Sequence, residues 1–515
     1  MKIRTTTYGL LKLLTALLLL PMASACSLVT DDIDIIDNQS EARYINLTIA
    51  VGNGHDNSTR AEGDKLTAGE NGDGREAGFL RENAVSGITL ILYQDANGIN
   101  GSDNTPLDLV KYYKVERTGE TLTANGTDLG KSKIVEAYYT TGNQKLNKGE
   151  VDFSKPYHAI VVANADLRGK VTTLGEVRNY KFNALYDGNE ASSASECTNF
   201  IMSSEADYTM NFQTTTPTTF NDGLLYTFDN VLIERLTARI DFWAACSNGY
   251  KSTYTTPGYE YDVEGTSDKF VVTGIMPFNL NAGDASNGGE FLIKRLANEV
   301  SESPTITYLA DETGSNYVLD PATQRKTSGY LTYFKNRLSE MPEKYEVDNL
   351  ANISSFSANT YYKSVASLHS AVTATGSDAG YLNLTDTDGS LSGENVIITY
   401  PMENTLWSAS LLYNYATGIA IEGDYYTGGS GTPEHRIYYG YMRHEGTSSS
   451  AYSAIQGAYM SSAESVTSAN CMEFAIVRNN IYRVYISGIN AADGTIKIKI
   501  EEKHWRHVDN PVIYI

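Results

Sequence analysis

The chain has 515 residues, 41% of them hydrophobic, and a formal net charge of −22. The length exceeds what one hydrophobic core usually supports, so two domains are the natural expectation, and the apolar content rules out a chain disordered throughout. A surface this acidic repels nucleic acid and anionic membranes, which argues against a nucleic-acid binder.

The first 25 residues read as a signal peptide. Lys2, Arg4 and Lys12 are followed by the apolar run Leu10 to Leu20 and then by Pro21-Met22-Ala23-Ser24-Ala25-Cys26. The apolar run is too short for a mature membrane span. Two cleavage readings fit. Ala23-Ser24-Ala25 suits an ordinary secretory peptidase; the same residues before Cys26 also suit a lipobox, although Ala23 stands where Leu is usual. The lipoprotein reading is preferred, with Cys26 acylated and residues 26–43 forming an acidic tether. Loss of the leader removes three positive charges, so −22 becomes −25.

Residues Tyr44 to Val51 form a predicted strand in which Ile45, Leu47, Ile49 and Val51 alternate with Tyr44, Asn46, Thr48 and Ala50. Residues 52–83 are polar and Gly-rich, carry Arg60, Arg75 and Arg81, and are long for a connection between strands. Further strands are predicted at Ile88 to Tyr93 and Tyr157 to Ala163, whereas 165–225 gives mixed signals. Near residue 231 a second domain is expected to begin, with Leu236, Ala238, Ile240 and Phe242 alternating with Arg235, Thr237, Arg239 and Asp241. Phe270 to Met276 and Asn395 to Tyr400 continue the β pattern. Residues 320–375 read as a partly helical insertion in which Tyr362, Val365, Leu368 and Val372 share a helical face. Toward the C-terminus, Glu473 to Val477 and Ile481 to Ile486 flank Arg478-Asn479-Asn480. The predicted strand Thr495 to Ile500 turns Ile496, Ile498 and Ile500 inward. The fold class is therefore mainly β. Tyr, at 37 copies, suits half-buried strand positions.

Catalytic and metal motifs are missing. The four cysteines, Cys26, Cys197, Cys246 and Cys471, form no C-x-x-C pair. With Cys26 modified, at most one bridge joins the other three, and buried reduced cysteine is the expectation. His504 and His507 lie three apart, on opposite faces of a strand, and cannot share a metal. The turns at Asp95-Ala96-Asn97-Gly98 and Asp386-Thr387-Asp388-Gly389 fail the spacing of a calcium loop, so plain Asx turns are favoured. Gly428-Gly429-Ser430-Gly431 lacks the lysine of a phosphate loop. No carboxylate pair stands out for glycoside hydrolysis. Neither a cofactor nor a metal is expected, and the chain reads as no enzyme.

Taken in order, these segments resemble the Mfa-like fimbrillins, subunits and accessory proteins of the type V pili of Bacteroidia. The carrying residues are Ala25-Cys26, the strand 44–51 followed by Ser58-Thr59-Arg60-Ala61, and Ala159 to Ala165. Val231-Leu232-Ile233-Glu234-Arg235-Leu236-Thr237-Ala238-Arg239-Ile240-Asp241 and Val477-Arg478-Asn479-Asn480-Ile481-Tyr482-Arg483-Val484 are the most specific. The resemblance implies two tandem transthyretin-like β-sandwich domains, residues 44–230 and 231–515, with the insertion 320–375 in the second. It implies a lipoprotein precursor at the cell outer membrane, held there only by its N-terminal lipid. An Arg-specific protease then cuts within loop 52–83, at Arg60 with Arg75 and Arg81 as rivals, and strand 44–51 is released. The donor segment 495–515, with Ile496, Ile498, Ile500, Val512 and Tyr514, fills the vacated groove of another subunit, giving a head-to-tail fimbria. The alternative role is a tip adhesin or surface lipoprotein that binds host glycan or protein through 320–375 and the Tyr-rich loop 425–442. An intramolecular place for 495–515 is the competing reading of that segment.

Overall fold

Alternation of apolar and polar residues at period two places one face of a strand in a core. The computed structural model follows that pattern from its first strand onward. It describes residues 42–51, 75–123, 134–188, 196–280, 291–292, 357, 361–404, 417–442, 452–456, 476–490 and 495–505, with short gaps at 77, 99–100, 179, 183, 205–207, 247, 375–377 and 386–388. Cys26, Arg60, Cys471, His507, Val512, Tyr514 and most of the insertion 320–375 lie outside the described residues.

The chain is mainly β, as the alternation predicts. One large sheet runs in the order Leu107–Lys114, Gly87–Tyr93, Pro156–Ala163, Met202–Ser204, Gly223–Arg235, Ala42–Val51, Ile134–Thr140, Glu116–Thr123. A second runs Tyr250–Lys251, Gly258–Asp262, Lys269–Phe278, Gly418–Tyr426, Glu434–Tyr441, Tyr452–Gln456, Thr495–Trp505, Asn480–Asn490, Arg239–Ala244, Ser392–Thr399, Gly380–Thr385. Strands before residue 236 belong to the first sheet and those after it to the second, apart from Arg75–Glu76, which pairs with the end of Thr495–Trp505, and from Lys181–Phe182 and Phe291–Leu292, which pair with each other. The change of sheet falls at Leu236–Ala238. Val231 to Arg235 still pair within the first sheet, with Ile233 beside Val51.

Both sheets are buried on more than one side. Every residue of Gly87–Tyr93 is buried. Ile88, Leu90 and Leu92 face one core, and Ile91 and Tyr93 face another closed by the short helix Leu174–Arg178. This is why that strand reads as a continuous apolar run rather than an alternating one. In the second sheet, Phe242 and Val484 share a core with Phe270, Ile421 and Tyr438 from strands far away in the pairing order, so the sheet folds over on itself. The core of the first sheet extends into the second through Trp243, Ile397, Ile481 and Tyr485.

The helical signal before residue 375 corresponds to the helix Val365–Thr373, which buries Val365, Leu368 and Val372. Ser364 caps its N-terminus by accepting from the backbone N–H of Ser367. Among the described residues, no helix is long and apolar enough to cross a membrane.

Candidate functional site: the first strand, its seat and the junction behind it

The strand Ala42–Val51 lies in the interior of its sheet. It runs parallel to Gly223–Arg235 on one side and antiparallel to Gln144–Leu146 and Ile134–Thr140 on the other. Ile45, Leu47, Ile49 and Val51 are all buried, as the alternation predicts. Burial of four such side chains is worth on the order of 6–12 kcal/mol. The opposite face makes polar contacts: Tyr44 Oη donates to Asp222 (2.8 Å), Asn46 Nδ2 to Asn143 (3.2 Å) and Thr48 Oγ1 to Asp229 (3.0 Å). The pairing with Gly223–Arg235 shifts between Leu47 and Ile49. Gly223 is required for the close approach of the two backbones: a Cβ there would stand 1.8 Å from the carbonyl oxygen of Ala42.

Beyond residues 52–74 the described chain resumes as Arg75–Glu76 and the turn Leu80–Asn83. Arg81 is largely buried. Its guanidinium donates to the carbonyl of Cys197 (2.9 Å), the carbonyl of Asp378 (3.1 Å) and the hydroxyl of Tyr400 (2.8 Å), and pairs with the Asp378 carboxylate at 2.7 Å. Glu82 is fully buried. It accepts from Arg239 (3.1 Å), from the Tyr400 hydroxyl (2.5 Å) and from the backbone N–H of Phe79 (2.7 Å). Burial, the chief cause, holds the Tyr400 hydroxyl well above the usual tyrosine range, so it remains a donor at neutral pH.

The two most specific segments of the sequence meet here. Arg239–Ala244 and Asn480–Asn490 pair in parallel, with Asp241 opposite Arg483. Arg239 grips Asp241 with two bonds of 2.9 Å. Asn395 donates to Asp241 (2.9 Å) and accepts from Arg483 (3.1 Å). Asn479, at φ 57°, accepts from Arg235 (3.0 Å) and donates its backbone N–H to Thr237. Arg478 contacts Glu403. Arg235, Arg239, Arg478 and Arg483 are all buried, and the alternation of Arg235 and Arg239 with apolar residues had marked them as the polar face. Burial pushes Arg235 down to about 9. The signal available in the sequence was the regularity itself: charges of both signs two residues apart in strands that are apolar on the other face.

The donor segment is placed less simply. Ile496, Ile498 and Ile500 are buried in Thr495–Trp505, which pairs with Asn480–Asn490 on one side and Tyr452–Gln456 on the other. Those three residues thus belong to an inner strand of their own chain.

The remaining motifs have local explanations. Asp95 accepts from Asn97, Ser102 and Thr105, and the Thr105 hydroxyl, first among these, holds its carboxyl below the usual range; this is an Asx turn. The glycines after Thr427 form a hairpin tip in which Gly428 N–H donates to Asp268 (2.7 Å), a carboxylate that also accepts from Tyr425 (2.6 Å). Cys197 is buried and Cys246 half-buried, and burial pushes the Cys246 thiol up to about 11. His435 lies between Asp424 and Glu422 at 2.9 Å from each. Among the described residues, no group of three or more His, Cys, Asp or Glu side chains is arranged to hold a metal ion.

No protein-family model and no curated protein matches the chain. Solved structures do match. Its structural neighbours are fimbrillins and cell-adhesion candidates from Bacteroidales. A fimbrilin, FimA, from Porphyromonas gingivalis W83 is 13% identical; the match covers 92% of this chain and all of that one, at a TM-score of 0.36. The tip fimbrial protein Mfa3 of Porphyromonas gingivalis is 10% identical over 90% of this chain and all of that one, also at 0.36. A candidate cell adhesion protein from Bacteroides eggerthii is 14% identical over 92% of this chain and all of that one, at 0.37. At TM-scores of this size the likeness assigns no role to any residue, and the function rests on the chain's own geometry.

Proposed function

We propose that the protein is a structural subunit of a bacterial cell-surface fimbria, and that its first strand is a removable placeholder. The observation that carries this reading is the position of Ala42–Val51. An inner, apolar strand is joined to the rest of its sheet by an unusually long polar segment containing Arg60. A cut there separates the strand covalently from everything downstream of it. Departure of the strand leaves two rows of unpaired backbone groups and four vacant apolar positions, both of which an incoming strand of another copy restores. Of the three arginines, Arg60 is the one the reading favours. Arg81 is bound on all sides, and Arg75 is paired in a strand opposite His504.

The same reading makes Cys26 a lipid anchor of the precursor at the outer membrane, lost with the first strand. It divides the chain into two tandem β-sandwich domains, residues 44–230 and 231–515, a few residues from the change of sheet at Leu236–Ala238. It places the donated residues beyond Trp505, with Val512 and Tyr514, because Ile496, Ile498 and Ile500 are engaged in their own sheet. The partners are other subunits and an Arg-specific protease.

The test is N-terminal sequencing of the protein from sheared surface fibres beside that from the membrane fraction. Fibres starting at Ala61 support the reading. Assembled fibres still starting at Cys26 overturn it.

A further inference from the structure

The walls of the first strand's seat are tied to each other by a route that does not include the strand. On one side of Ala42–Val51, Ile49 stands opposite Tyr139 of Ile134–Thr140. On the other, Val51 stands beside Ile233, two residues before Arg235 at the end of Gly223–Arg235. Both Tyr139 and Arg235 reach the turn Leu80–Asn83. The Tyr139 hydroxyl donates to the carbonyl of Asn83 (2.7 Å). Arg235 Nε donates to the carbonyl of Glu82 (3.0 Å), and Arg235 Nη2 donates to the side-chain oxygen of Asn83. Glu82 and Asn83 are buried, and Glu82 is anchored in turn by Arg239 of the second sheet and by Tyr400, which follows its strand Ser392–Thr399.

We infer that the turn Leu80–Asn83 is a brace that holds the seat open at the width of one strand once the first strand has left, so that an extended apolar segment of a second copy enters a preformed groove. This rests on the strand-release reading above. The physical case is one of preorganisation. A slot that collapses on itself buries its own apolar lining, and an incoming strand must then reopen it; a slot held at fixed width imposes no such cost. Asn83 and Tyr139 are positioning residues, acting through the walls rather than on the incoming strand. The brace is anchored outside the first sheet, so it survives removal of the strand. It also lies downstream of Arg60, so it stays with the mature chain.

The experiment uses the full-length protein cut in the 52–74 segment by an Arg-specific protease, with a fluorescent peptide of residues 42–51 as probe. Exchange of the retained strand for the peptide is followed by anisotropy in the wild type, Asn83→Ala and Tyr139→Phe. Melting of each uncut variant is measured in parallel. The expected result is exchange in the wild type, peptide affinity lower by about tenfold or more in both variants, and uncut Tyr139→Phe melting close to wild type because the covalent strand still fills its seat. Wild-type affinity in both variants overturns the brace and leaves strand release standing. Absence of exchange in the cut wild type overturns strand release and the brace together.

Discussion

Arg239 donates to Glu82 at 3.1 Å across 157 positions of sequence, and both side chains are closed to solvent. The contact joins the turn after the long polar segment to the first strand of the second sheet. Removing one partner of a buried ion pair leaves the other charge uncompensated, which costs about 3–5 kcal/mol. Glu82→Ala should therefore lower the urea unfolding midpoint strongly at an unchanged denaturant slope. A loss under about 1 kcal/mol would show that Asp241 alone satisfies Arg239.

Proteolysis separates the three arginines. Arg60→Gln should block cutting by an Arg-specific protease under conditions where the wild type loses its N-terminal segment, as read by intact mass. Arg81→Gln should leave that cut in place and instead destabilise the fold, because the Arg81 guanidinium is bound to Cys197, Asp378 and Tyr400.

Along the first strand, consequence should follow alternation. Leu47 is buried in the core, so Leu47→Ala should cost about 2–5 kcal/mol in the uncut protein. Thr48, one residue on, turns to the polar side, where it meets Asp229; Thr48→Ala should cost about 1 kcal/mol or less. Equal effects at the two positions, measured by denaturant unfolding, would contradict the observed facing of the strand.

His435 gives the fold a pH dependence of definite sign. Hydrogen bonds to Asp424 first, and then to Glu422, raise it to about 9 from an ordinary 6.5. A raised base favours the folded state while it is protonated. Its contribution is full below pH 6.5 and is lost as pH rises through 9. The side chain is only half-buried, which reduces the effect to about 1 kcal/mol. His435→Gln should flatten the stability profile between pH 6.5 and 9, measured by melting at fixed ionic strength.

The first strand was legible because one face of it is apolar and the other is not: period two suffices to orient Ile45, Leu47, Ile49 and Val51. The helix Val365–Thr373 was legible for the same reason at period 3.6. The junction was harder to foresee. In Arg239–Ala244 the alternation is clear, yet every residue is buried, because the polar face packs on Glu82, Asn395 and Arg483 rather than on water. A pattern of charges cannot report whether its partner is solvent or another polar segment 154 or more residues away. Strand Thr495–Trp505 illustrates a second limit. Its alternation is visible in sequence, but its interior position depends on Tyr452–Gln456, a segment with little strand signal of its own.

The mixed pairing of the first strand carries one more consequence. One neighbour runs parallel to it and the other antiparallel, so the seat is not symmetric end to end. A replacement strand that recovers the same bonds has to enter pointing the same way. If the first strand is released as proposed, copies strung together through such seats all share one heading, and the resulting filament has two chemically different ends: one offering a vacant seat, the other a spare tail.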